Sequence, residues 1–82
     1  MPEMVIVTIC CGGCRGDFEL PARLPLKNWE AALLDAVRNR FAIFPQKGQT
    51  PRLMKDQIPI QPQWTLEQCG IYDGSILQLL LG

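Results

Sequence analysis

Three of the four cysteines fall in one short run, Cys10-Cys11-Gly12-Gly13-Cys14. Cys11 and Cys14 have the Cys-x-x-Cys spacing found in zinc knuckles and in redox pairs. A structural zinc site takes four Cys or His ligands. The chain has no His, so Cys69 is the remaining ligand within it, and dimerisation would have to supply any other. A redox pair draws its reactivity from a lowered thiol pKa, for which a helix N-terminus is the usual device. The glycines here place the run on a hairpin instead. We therefore expect loop thiols, with Cys10 half-buried at a strand end and no cofactor. Zinc or redox chemistry at Cys10, Cys11 and Cys14 is the alternative. Other chemistry finds little support: there is no phosphate-binding Gly-x-x-x-x-Gly-Lys loop and no Ser with a plausible base. Asp17 and Glu19 alternate along a strand and should face solvent. Arg15-Gly16-Asp17 spells an adhesion tripeptide, which we read as coincidence. An enzyme is not expected.

The positioning elements must come from one small domain, residues 1–82. A chain this size buries only about two-thirds of its unfolded surface, so its core has little margin. Eight basic and eight acidic residues balance to zero charge. That excludes the basic footprint of a nucleic-acid binder. Two Trp, one Tyr and three Phe are too few for a base-stacking platform. No stretch reaches the roughly 20 apolar residues of a membrane span. The opening Met1-Pro2-Glu3-Met4 lacks the pattern of a signal peptide. The expected location is the cytoplasm, where cysteines stay reduced.

Residues 4–10 form a β-branched apolar run bounded by glycines, the pattern of a buried strand. The Gly-rich segment to Gly16 turns the chain, and residues 17–20 alternate as a half-buried second strand. Val5, Val7 and Ile9 should share a face with Phe18 and Leu20. Asn28 is a suitable N-cap for a helix over residues 28–41. Trp29, Leu33, Ala36, Val37 and Arg40 or Phe41 lie on its inner face, with Asp35, Arg38 and Asn39 opposite. Residues 45–51 read as a loop. Leu53 and Met54 begin a third strand, residues 55–57 turn, and residues 58–60 make a fourth. Pro59 places that fourth strand at an edge, because proline cannot donate to a ladder. Thr65 caps a single helical turn, Asp73-Gly74 turns, and residues 75–81 form a last strand apolar enough to be central. A hairpin, one helix and further strands give an α+β fold. The expected sheet is mixed, with four to five strands and the helix on one face. The first and last strands should be parallel neighbours, which is the β-grasp arrangement.

With those elements placed, the chain resembles ubiquitin and its relatives. The run from Arg52-Leu53-Met54 through Ile60, Thr65-Leu66 and Gly70-Ile71 to Leu77-Gln78-Leu79-Leu80-Leu81 keeps step with ubiquitin's second half. The residues from Pro25 to Trp29 match the approach to its helix. The chain is more similar to the bacterial YukD and EsaB group of ubiquitin-like proteins. That likeness rests on Asp17, Leu20-Pro21-Ala22, Leu24-Pro25-Leu26-Lys27-Asn28, Leu34-Asp35, Cys69-Gly70-Ile71, Asp73-Gly74 and Ile76-Leu77. The resemblance implies an accessory or regulatory role in type VII (WXG100) secretion, exercised by binding other components of the machinery. Ubiquitin and the related sulfur carriers react through a tail ending in two glycines. This sequence has a single Gly82 directly after its last strand, so conjugation or sulfur carriage is the disfavoured alternative.

A binding role directs attention to the sheet face without the helix. Strand alternation sends Leu53, Leu77, Leu79 and Leu81 inward. It leaves Met54, Gln78 and Leu80 outward, joined by Ile6 and Ile76 and rimmed by Arg52 and Lys55. These positions match the apolar patch that ubiquitin offers its receptors. Exposed apolar residues gathered on one face mark a partner site. The expected site is Met54, Leu80, Gln78, Ile6 and Arg52, and the expected partner is a protein. Nucleic acid and direct membrane insertion are not expected.

Overall fold

The computed structural model describes residues 3–42 and 51–80. Its order is β1 (Met4–Cys11), β2 (Cys14–Pro21), α1 (Leu26–Phe41), β3 (Arg52–Lys55), β4 (Ile58–Pro59) and β5 (Ile76–Leu80). The strands form one mixed sheet in the order β2-β1-β5-β3-β4. β5 is central, as its apolar sequence suggested, and runs parallel to β1 and antiparallel to β3. Pro59 does lie on the edge strand. The loop expected over residues 45–51 falls, apart from Pro51, outside the described residues, as does Leu81.

Pairing in the first hairpin begins at Cys11 opposite Cys14, earlier than the sequence suggested. The reason is the two-residue Gly12-Gly13 connection, in which Gly12 takes a φ of +60°. A glycine there costs nothing sterically, so the strands can pair up to the turn itself. At the other hairpin Asp56 and Gln57 both have positive φ, and β4 pairs through Ile58 and Pro59 alone.

The helix starts two residues before Asn28, and Asn28 is not its cap. Pro25 holds the N-cap position, with no side-chain hydrogen bond. The first free amides are satisfied by distant backbone: Leu26 N donates to Trp64 O and Lys27 N to Pro62 O, both at 2.9 Å. A helix end needs its orphan N–H groups paired, and a tertiary partner serves as well as a cap. Thr65 does cap, in reciprocal form. Gln68 N donates to its hydroxyl at 3.1 Å, and Thr65 N donates to the Gln68 side-chain oxygen at 3.0 Å. This is the two-way arrangement of a capping box.

Leu26, Trp29, Leu33 and Val37 form the buried helix stripe, with Leu34 and Phe41 half-buried beside it. Ala36, expected inward, is exposed. At about 100° per residue it falls to one side of the Leu33–Val37 line, at the edge of a shallow concavity shared with Phe18 and Leu20 of β2. Opposite the helix stand Val7, Ile9, Leu20, Leu53, Leu77 and Leu79, all buried. Leu66 and Ile71, from the segment before β5, close the core. Trp29 Nε1 donates to Leu24 O at 3.0 Å, so the indole enters the core with its polar atom paired.

Candidate interaction surface

The side of the sheet away from α1 is built by strict alternation. Cys10 on β1 stands between Arg15 on β2 and Gln78 on β5. Gln78 in turn opposes Met54 on β3, and Met54 opposes Pro59 on β4. One row therefore crosses all five strands. Beside it, Leu80 pairs with Arg52, and on its other side Ile76 pairs with Thr8. Ile6, paired with Glu19, lies a further row on. Ile6, Ile76 and Leu80 are 53%, 48% and 52% exposed. Met54 is half-buried, and Met54, Gln57, Gln78 and Leu80 line a shallow concavity.

Of the five residues expected in the site, Met54, Gln78, Leu80 and Arg52 are direct neighbours. Ile6 is not among them. It sits six residue steps, roughly 20 Å, along the strand direction from the Leu80 row, with Ile76 and Thr8 between. Lys55 does not rim this face. It shares the parity of Leu53 on the helix side, where its Nζ lies 3.0 Å from Asp56 Oδ2. Cys10, which the sequence places at a strand end, stands within the row between Arg15 and Gln78. Only the β1–β5 register reveals that position.

The face carries a division of charge. Arg15 and Arg52 lie in the two rows nearest the Gly12-Gly13 turn, whereas Asp17 and Glu19 lie in the two rows towards Ile6. Thr8 Oγ1 donates to Asp17 Oδ1 at 2.8 Å, holding that carboxylate flat across the strands. Asp73 Oδ1 accepts from Ile6 N at 2.8 Å, and Gly74 N donates to Ile6 O at 2.8 Å. The Asp73-Gly74 turn thus continues the work of β5 beside β1 and fixes where Ile6 points.

On the helix side a second apolar concavity is lined by Ile58, Ile60, Trp64 and Cys69. The sequence reading missed it, although Trp64 in a Pro- and Gln-rich segment was the available signal. The hairpin cysteines split: Cys11 is buried, Cys14 is exposed, and Cys10 is half-buried on the opposite face. Burial pushes the Cys11 thiol pKa up, with a smaller push from Cys14, and burial also raises that of Cys69. Among the described residues no three Cys, Asp or Glu side chains converge as a metal site. No helix among them is long and apolar enough to cross a membrane.

A family model described as "WXG100 protein secretion system (Wss), protein YukD" matches residues 4–79. Among solved structures, the chain is similar to the EccD5 ubiquitin-like domain from Mycobacterium xenopi. That match has a TM-score of 0.86 and 23% identity, and covers 99% of this chain and 97% of that one. The ubiquitin-like domain of the type VII secretion protein EccD1 of Mycobacterium tuberculosis matches at TM-score 0.80 and 21% identity, covering 95% and 98%. A chain of an ESX-5 inner membrane complex matches at TM-score 0.84 and 21% identity, with 99% of this chain covering 21% of that one. At these identities the likeness establishes the β-grasp fold. No curated protein matches the chain.

Proposed function

This chain belongs to the YukD family of the WXG100 protein secretion system, and from that premise we propose that it is a non-conjugated binding module of that system. Its site is the helix-free face centred on Met54, Gln78, Leu80 and Arg52, with Ile6 at the far rim. The observation that carries this reading is the exposed apolar set of Ile6, Ile76 and Leu80 together with Met54, on the face that no element covers among the described residues. A patch of this kind, bordered by polar groups, is characteristic of protein interfaces. Met adapts its shape to a partner at little cost.

The partner is a protein component of the secretion machinery. Acidic groups on it would meet Arg15 and Arg52, and basic groups would meet Asp17 and Glu19. Complementarity of this kind sets orientation and association rate more than affinity. The chain acts by binding, in an accessory or regulatory role, without catalysing a reaction or being attached to a target.

The test is titration of the chain with soluble domains of the WXG100 secretion components from the same organism. Saturable binding that Met54→Asp or Leu80→Asp abolishes, with cooperative unfolding retained, supports the proposal. Binding retained by both variants would move the site elsewhere. A thiocarboxylate or isopeptide found at Gly82 by mass spectrometry would replace the binding reading with that of a carrier or modifier.

A further inference from the structure

Cys11 and Cys14 are the last pair of the β1–β2 ladder, directly opposite one another across Gly12-Gly13. Opposed residues of an antiparallel pair have Cα atoms about 4.5–5.5 Å apart, within the roughly 4.4–6.8 Å that a disulfide spans. They also project from the same face. Cys10 projects from the other face, between Arg15 and Gln78, and cannot compete for either partner. The pair is asymmetric in access, because Cys14 is exposed while Cys11 is 2% exposed. One thiol can meet a reagent from solvent, and the other waits beside it.

The geometry points to Cys11–Cys14 as a thiol–disulfide exchange site that a low-molecular-weight disulfide oxidises reversibly. The Cys14 thiolate attacks one sulfur of the small disulfide. A mixed disulfide forms, and the first small thiol leaves with the bonding pair and takes up a proton. Cys11 then releases its proton, and its thiolate attacks Cys14 Sγ, expelling the second small thiol in the same way. Two cysteine thiols are oxidised and one small disulfide is reduced to two thiols. Cys11 is shielded from solvent whereas Cys14 is exposed, which leaves the first attack to Cys14 and the second to Cys11. The ring closed by the bond contains only the hairpin turn. It constrains the unfolded chain less than a long loop would, so the bond is a reversible modification and not a structural staple. This inference is independent of the proposed binding face.

The test uses the full chain with glutathione disulfide as the probe, followed by acid quenching, denaturing alkylation and intact mass. In Cys10→Ser, which leaves three of the four cysteines, the expected product has lost two hydrogens and retains no glutathione. Its alkylatable thiols fall from three to one, and excess reduced glutathione restores all three. Adding Cys14→Ser removes this product. Cys11→Ala, lacking the resolving thiol, holds one glutathione at Cys14. A Cys10→Ser chain that stops at a glutathione adduct overturns the proposal, as does loss of two hydrogens that survives Cys14→Ser. The deciding measurement keeps Cys11 and Cys14 native, so it stands even where Cys11→Ala fails to fold.

Discussion

Met54 and Gln78 oppose each other on β3 and β5 on the helix-free side, while Leu53 and Leu79, one residue along, oppose each other in the core. A single residue step therefore separates a surface role from a structural one. Leu80→Asp should shift unfolding free energy by roughly 0.5 kcal/mol, the range of ordinary surface changes, and Met54→Asp, at a half-buried strand position, by about 1 kcal/mol. Leu79→Ala should lose about 2–5 kcal/mol. In a domain of this length each kcal/mol is about 4–8 °C of melting temperature. Thermal denaturation of the three variants would expose reversed faces as an inverted order.

Within the binding face the effects should be graded. Binding energy concentrates near the centre of an interface, and Ile6 lies at the far end from Leu80. Ile6→Asp should weaken partner binding less than Leu80→Asp, and titration calorimetry would rank them. Equal losses would mean that the interface is centred nearer Ile76.

The helix start offers a paired test. Asn28→Ala should leave stability within about 0.5 kcal/mol, because the first amides are held by Trp64 O and Pro62 O. Thr65→Ala should cost about 1 kcal/mol, the usual loss for a cap. Urea denaturation distinguishes the two. A full capping loss at Asn28 would contradict the hydrogen bonding described.

Trp29→Phe should cost about 1–3 kcal/mol by leaving Leu24 O without its donor and removing ring volume. Trp29→Leu should cost more, since it also opens a cavity between helix and sheet. Denaturation midpoints of both variants check the ranking.

Buried Cys11 and half-buried Cys69 make stability sensitive to alkaline pH. The folded pKa of Cys11 lies above its unfolded value, so the folded state holds the proton more tightly. That stabilisation is complete below the ordinary thiol pKa of about 8.5 and is lost as pH rises through the folded value. Cys69 contributes in the same direction. Unfolding free energy measured from pH 7 to 10 should fall, and Cys11→Ala should flatten the decline.

Alternation made most of this legible beforehand. Val7, Ile9, Leu20, Leu53, Leu77 and Leu79 could be assigned inward from a period of two, and the apolar β5 announced its central place. Asn28 misled because its type suits a cap, while the groups that satisfy Leu26 and Lys27 come from a segment far along the chain. Lys55 misled because a long polar side chain suggests an exposed face even where parity puts it beside Leu53. The position of Cys10 beside Gln78 depends on how two parallel strands slide past each other. No local pattern encodes that register.

The two-residue β4, ending in Pro59, has a further consequence. Pro59 has no N–H to offer, and so short a strand leaves little for another chain to pair with. β2, eight residues long, occupies the other margin of the sheet. Growth of this sheet by an incoming strand, from a partner or a second copy, is thereby confined to one direction. An association of that kind would place the newcomer beside the first hairpin, next to Cys14, and away from Met54.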